Sequence, residues 1–201
     1  MNSNLLIVFI KNPVEGEVKT RLGASIGSKN ALQIYKKLLE HTRDVAVELA
    51  PEIDIQVWYS SIIDRRDLWE GHGFEKFLQR GNDLGARMAG AISGGFKAGY
   101  ERVVIIGSDC PDVIPKHIQS AFSDLKTHDA VIGPATDGGY YLLGLNEFQE
   151  DLFRKKEWSE SSVFDQTMAV FKDRDLSVCR LEELNDIDTI EDLKRSNLSL
   201  P

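Results

Sequence analysis

The sequence predicts an α/β fold built on a largely parallel sheet with helices on both of its faces. Three observations predict it. Apolar runs of strand length recur along the chain, amphipathic helical stretches separate most of them, and turn residues bound the runs. Two strands lying close together around Asp137-Gly138-Gly139 interrupt the alternation and predict one departure from parallel order, so the sheet is expected to be mixed.

The first strand is the continuous apolar run Leu5 to Ile10, which ends at Lys11-Asn12-Pro13 and reads as buried on both faces. A long polar loop follows. From Ser28, the residues Ala31, Ile34, Tyr35, Leu38, Leu39, Thr42, Val45, Ala46 and Leu49 fall on one helical face, and Pro51 stops the helix. Ile53–Tyr59 and the shorter Phe74–Leu78 read as strands, and Leu84, Met88, Ala91, Ile92 and Phe96 form the stripe of another helix. Arg102–Ile106 is the next strand. Pro115 suits a first helical turn, with Ile118, Ala121, Phe122 and Leu125 continuing that helix. Strands are expected at Ala130–Pro134 and Tyr140–Leu145. Residues 147–175 read as a polar excursion plus a helix, followed by a strand at Leu176–Arg180 and a helix near Thr189–Arg195.

At 201 residues, 42% hydrophobic and 28% charged, the chain suits one compact domain, expected to span 1–201. Its net charge of −8 argues against nucleic acid or an anionic membrane as a general partner, while leaving room for a small anionic ligand in a local basic pocket. No signal segment or membrane span is read. The two cysteines, Cys110 and Cys179, lack CxxC spacing, so the expected compartment is reducing and cytoplasmic.

Five stretches carry residues suited to chemistry. In Lys11–Leu22, Lys11, Lys19 and Arg21 offer three cations directly after the first strand, and Gly16 and Gly23 let backbone approach a phosphate. The spacing is not that of a Walker A loop. Gly107-Ser108-Asp109-Cys110-Pro111-Asp112 places a carboxylate at a strand's C-terminal end, where Asp109, with Asp112 as a lesser candidate, can hold Mg²⁺ or Mn²⁺. The competing reading makes Asp109 a turn or helix-cap residue. Gly133–Tyr141 opens the backbone at Gly138 and Gly139, with Asp137 in the turn and Tyr140 able to meet a ligand. In Asn185–Leu193, Asp188 followed by Glu191 fits a helix N-cap as well as a metal ligand, and Asp186 is the alternative second carboxylate. Gly81–Met88 opens a helix whose amides favour an anion. There Asp83 and Arg87 are either donor contacts or a surface ion pair. The four histidines read as surface residues, and Trp158 and Phe164 mark where acceptor selection is expected.

Taken in order, these stretches resemble the glycosyltransferase-like family labelled radical-SAM/selenodomain-associated transferase, whose pattern runs K-x-P-x-x-G-x-V-K-T-R-L, G-D-L-G-x-R-M, G-S-D-C-P-D, G-P-x-x-D-G-G-Y-Y and D-x-D-T-x-E-D-L. The resemblance covers nearly the whole chain, with Asn82 and Ile190 as departures. It implies the GT-A, or nucleotide-diphospho-sugar transferase, fold: a three-layer α/β/α sandwich with a mostly parallel mixed sheet. More distantly the chain resembles phospholactate and molybdopterin guanylyltransferases. The resemblance implies that Lys19 and Arg21 contact donor phosphates, that Asp109 binds the metal, and that Asp188 or Asp186 is the late metal-ligating carboxylate. The expected activity is metal-dependent transfer from a nucleotide or nucleotide-sugar donor to a small-molecule acceptor, either glycosyl or nucleotidyl. A non-catalytic nucleotide-binding protein on the same fold is the alternative.

Overall fold

The structure, a computed structural model, describes residues 2–154, 158 and 161–198. Seven strands form one sheet in the order β3-β2-β1-β4-β6-β5-β7. They are β1 (Asn4–Ile10), β2 (Asp54–Tyr59), β3 (Glu75–Leu78), β4 (Arg102–Ile106), β5 (Ala130–Pro134), β6 (Tyr140–Leu145) and β7 (Val178–Arg180). The helices are α1 (Thr20–Ile26), α2 (Ser28–Leu49), α3 (Leu84–Lys97), α4 (Pro115–Asp124), α5 (Val163–Asp173) and α6 (Ile190–Arg195), with a 3₁₀ turn at Glu150–Phe153. The architecture is the α/β sandwich with a mostly parallel mixed sheet that the sequence predicts.

β1 lies at the centre because every residue from Leu5 to Ile10 is buried, which only a strand covered on both faces allows. It pairs in parallel with β2 and β4, and β2 in turn with β3. β6 is the one antiparallel member, inserted between β4 and β5. β5 and β7 pair in parallel. The tight turn through Asp137-Gly138 makes this insertion, because two strands joined by so few residues have no room for a crossover.

The core divides along the sheet. One face holds Leu6, Val8, Ile10, Val57, Val104 and Ile106 beneath the apolar stripes of α2 and α4. The other holds Leu5, Ile7, Phe9, Val103 and Ile105 against Met88, Ala91 and Ile92 of α3 and Phe171 of α5. This strand pattern gathers the loops after β1, β2, β3, β4, β5 and β7, and the start of β6, at a single edge of the sheet. Open α/β sheets bind ligands at that edge.

The polar loop expected after β1 is in part helical. α1 occupies Thr20–Ile26, with Leu22 buried and Val18 and Ile26 packed on the same core. Gly23 lies inside α1 and faces α2, where an added Cβ would stand 3.6 Å from that of Ala31. The last strand is shorter than expected, beginning at Val178. Of residues 147–175, positions 155–157 and 159–160 lie outside the described residues.

Candidate active site

The site begins at the end of β1. The phenol of Tyr35, on α2, accepts the Lys11 backbone N–H at 2.8 Å and lies 3.0 Å from the Lys11 carbonyl and 3.2 Å from Ser108 Oγ. Tyr35 is 1% exposed and Ser108 is buried, so one hydroxyl ties the loop after β1 to the loop after β4. Asn12 performs a similar task towards β2. Its Oδ1 accepts from the backbone N–H groups of Ser61 and Ile62, and its Nδ2 donates to the Ile62 carbonyl.

Lys19 is the most unusual residue of the edge. Its backbone is left-handed (φ 48°, ψ 45°), a conformation that costs a non-glycine residue roughly 1–2 kcal/mol. Its side chain is 4% exposed, and its ammonium lies 2.7 Å from Asp109 Oδ1 and 3.7 Å from Asp188 Oδ1. Arg21 Nη1 lies 3.2 Å from Asp188 Oδ2. Asp109 and Asp188 remain about half exposed, so the pair faces the solvent edge while the cation is enclosed.

Asp186 lies within electrostatic reach of both Asp109 and Asp188. Its Oδ1 is shut off from solvent without a hydrogen-bond partner among the described residues. Burial, then the carboxylates of Asp109 and Asp137, push its carboxyl up to about 7, with Lys19 opposing and Asp188 adding to the rise. The next residue, Ile187, is fully buried and donates its N–H to the Asp109 carbonyl at 3.0 Å. This fixes the late loop against the loop after β4 and brings Asp109, Asp186 and Asp188 to one place.

Helix capping separates the two readings left open for Asp188. The cap of α6 is Thr189, whose hydroxyl lies 3.3 Å from the Asp192 N–H it caps, while the Asp192 carboxylate accepts from the Thr189 N–H at 2.8 Å. Asp188 is thus free of capping and turned to Lys19 and Arg21. Asp109 is not a cap either: α4 starts after Ile114, whose N–H donates to His117 Nδ1. Asp112 is exposed on the outside of the same turn.

Beyond this centre, Asp137 Oδ1 accepts the Gly139 N–H at 2.8 Å, holding the turn into β6. Gly138 has φ 90°, and a Cβ there would stand 2.1 Å from the Ser161 carbonyl oxygen, so the segment before α5 lies directly on this turn. Trp158 lies against Gly85 at the start of α3, where a Cβ would meet the indole at 2.4 Å. Phe164 donates its N–H to the Gly138 carbonyl and carries the Arg180 guanidinium over its ring at 5.0 Å. Tyr140, half-buried, packs against the α3-side core, where burial pushes its phenol up and its hydroxyl lies 4.0 Å from Met88 Sδ.

On the β2–β3 side, Asp83 caps α3 by accepting the Ala86 N–H at 2.7 Å, and Arg87 donates Nε to the Gly81 carbonyl, so the surface ion pair that was the alternative to donor contacts is not formed. Arg87 lines a cleft of about 430 Å³ with Arg80, Ile63, Trp58, Phe77 and Gly90. Trp58 and Phe77 stack at 4.9 Å. Among the described residues no acidic side chain lines this cleft, although the chain as a whole carries −8.

Residues 42–160 match the family described as "Uncharacterized protein conserved in bacteria (DUF2064)". The chain belongs to this family. A solved relative from Desulfovibrio desulfuricans G20, named as a candidate nucleotide-diphospho-sugar transferase, is 35% identical over 99% of this chain and 90% of its own, with a TM-score of 0.88. CMP:2-keto-3-deoxy-manno-octonic acid synthetase complexed with CTP shares the fold at 10% identity and a TM-score of 0.55, covering 96% of each chain. Rv0371c of Mycobacterium tuberculosis H37Rv, in complex with manganese, does so at 13% identity and a TM-score of 0.56, covering 95% of this chain and 96% of its own. No curated protein matches in sequence.

In this DUF2064 chain, Lys19, Arg21, Asp109, Asp186 and Asp188 come together. Asp137 adds its charge from the turn before β6. Lys11 stands at the same edge with an exposed side chain, and Gly16 (φ 82°) makes the bend that leads to Lys19. Asp83 and Arg87 belong to the β3–α3 side. Sequence reading missed Tyr35, Ser108 and Asn12 as the struts of the site. Two of the four histidines are not simple surface residues: His41 Nε2 lies 2.7 Å from the Val113 carbonyl, and the His117 side chain is 12% exposed beside Glu182.

Proposed function

We propose that this chain is a metal-dependent transferase using a nucleotide-activated donor. The observation that carries the reading is the enclosed Lys19 ammonium, set among Asp109, Asp186 and Asp188 at the sheet edge and flanked by Arg21. The base of the donor lies in the cleft beside α3, where Trp58 and Phe77 offer a flat apolar wall and Arg80 and Arg87 offer donors. From there the phosphates run along the sheet edge to Lys19 and Arg21. The 35%-identical relative's name and the nucleotide and manganese complexes of the more distant fold neighbours support a nucleotide and a divalent metal as the ligands.

The residues present fit Mg²⁺ or Mn²⁺. Among the described residues no three His, Cys, Asp or Glu side chains are arranged to enclose a metal by themselves. Mg²⁺ does not require that, because it is commonly held by one or two carboxylates together with substrate phosphates and water. Asp109 and the unpartnered Oδ1 of Asp186 are the two carboxylates that would hold it, with Asp188 beside them. When bound, the ion would neutralise charge on the donor phosphates.

Of the two transfers, the geometry favours nucleotidyl transfer, because Lys19 and Arg21 concentrate positive charge where a triphosphate's leaving group gathers negative charge. The acceptor oxygen attacks the α-phosphorus, the bond to the bridging oxygen breaks, and pyrophosphate leaves against Lys19 and Arg21. Glycosyl transfer, favoured by the name of the 35%-identical relative, would release a nucleoside diphosphate instead. The test is a thermal-shift panel of nucleoside triphosphates and nucleoside-diphosphate sugars with Mg²⁺ or Mn²⁺, on wild type and Asp109→Ala. Metal-dependent stabilisation by one nucleotide, lost in the variant, is expected. Stabilisation by none of them would overturn the reading. A product assay with the nucleotide so found, scoring pyrophosphate against nucleoside diphosphate, then decides the reaction, and turnover to neither would leave a nucleotide-binding protein.

A further inference from the structure

We infer that Lys19 is an internal counter-ion which holds the site's carboxylates until a divalent cation displaces it, and that the displaced ammonium then serves the donor's phosphates. This rests on the transferase reading above and concerns how its site is regulated: metal and donor anion are made to bind together.

Three observations carry it. The Lys19 ammonium stands 2.7 Å from Asp109 Oδ1 and 3.7 Å from Asp188 Oδ1, so it already occupies the space between carboxylates that a cation at Asp109 would need. Asp186, beside them, keeps an oxygen with no partner among the described residues, so the lysine's single positive charge does not satisfy the acidic group. A divalent ion would satisfy it better, since it brings two charges and takes several oxygens at once. Finally, the left-handed backbone of Lys19 and the α1 helix that follows fix where its side chain begins, while the four-carbon stem leaves the ammonium free to move by rotation.

The charges face the ammonium from several elements: Asp109 from the loop after β4, Asp186 and Asp188 from the loop before α6, Asp137 from the turn before β6, and Arg21 from α1. Arg21 is 66% exposed and bonded to Asp188, so it remains on that carboxylate when Lys19 leaves. Two cations cannot share Asp109 at hydrogen-bond distance without repulsion. Entry of the metal therefore expels Lys19 from Asp109 towards the donor's phosphates. By linkage, each ligand strengthens the other's binding.

The test uses the full chain and Mn²⁺ as the probe. Calorimetric titration of wild type, Lys19→Met and Lys19→Gln is expected to show Mn²⁺ binding at least ~10-fold tighter in the two variants, because the competitor is gone. Inorganic pyrophosphate in the presence of saturating Mg²⁺ is expected to bind more weakly in both variants than in wild type. On wild type, a lysine ¹⁵N-ammonium spectrum is expected to show one protected signal that shifts or disappears on adding Mg²⁺, a readout that needs no variant to fold. Equal or weaker Mn²⁺ binding in the variants, or a protected ammonium indifferent to Mg²⁺, overturns the inference while leaving the transferase reading in place. Absence of Mn²⁺ binding in all three folded proteins overturns the inference and the metal-dependent reading together.

Discussion

Asp186→Asn is the substitution whose effect the structure fixes most closely. The Asp186 carboxyl is pushed from 3.8 to about 7. Between those values the folded chain keeps a proton that the unfolded chain has released. The folded state thus binds more protons, and stability falls as pH rises through the window, levelling off above about 7. A shift of about three pH units corresponds to ~4 kcal/mol, and partial solvation of the residue reduces that to roughly 2–4 kcal/mol. Asparagine keeps the shape without the charge. The variant should exceed wild type by about 1–2 kcal/mol at pH 5, where the unfolded chain has already released its proton, and by roughly 2–4 kcal/mol at pH 8. Urea denaturation at pH 5, 6, 7 and 8 reads this directly. Parallel pH profiles for the two proteins would refute the reasoning, since the buried charge would then carry no cost. The same carboxyl makes Mn²⁺ stabilise wild type more at pH 8 than at pH 5, because the ligand must be deprotonated to bind.

Tyr35→Phe removes the hydroxyl shared by Lys11 and the Ser108 strut. It should cost about 1–3 kcal/mol in denaturation, by leaving a buried partner unsatisfied, and weaken metal-dependent nucleotide binding beyond what the stability loss explains. Gly138→Ala should destabilise by more than about 2 kcal/mol, whereas Gly16→Ala, with a similar φ and open space around it, should cost only about 1–2 kcal/mol. Thermal melts of the pair check this. Arg87→Ala and Trp58→Ala should each weaken binding of the stabilising nucleotide about 10-fold or more while leaving pyrophosphate binding unchanged, as calorimetry would show.

Much of the fold was legible because its signals are local. The buried run of β1, the stripe of α2 and the turn at Asp137 each announce themselves within a few residues. α1 was hidden by the charges that make residues 11–22 look like a loop, although Val18, Leu22 and Ile26 recur at four-residue spacing. The capping of α6 misled by one position: Asp188-x-x-Glu191 and Thr189-x-x-Asp192 are both plausible boxes, and only the second is built. Tyr35 reads as one more residue of an apolar stripe. Its function depends on Ser108, 73 positions away, and no local pattern carries a contact of that separation. Which way Tyr140 faces was equally illegible, because a residue beside a glycine turn can face either side of the sheet; this one faces α3.

The site residues themselves violate the local rules that the rest of the chain obeys. Lys19 holds a backbone conformation suited to glycine, Asp186 buries an oxygen without a partner, and four carboxylates share one edge with a single enclosed ammonium. Each feature costs stability in the unliganded chain. A core as extensive as the two on either side of β1 tolerates that loss, and the last two features have one physical circumstance in common. Both would be relieved by the same event, the arrival of a divalent cation accompanied by an anion, which would give the Asp186 oxygen and the Lys19 ammonium new partners. Strain distributed at random through a fold has no such common remedy. Its convergence on one ligand pair is the physical argument that these residues are arranged for binding rather than for stability.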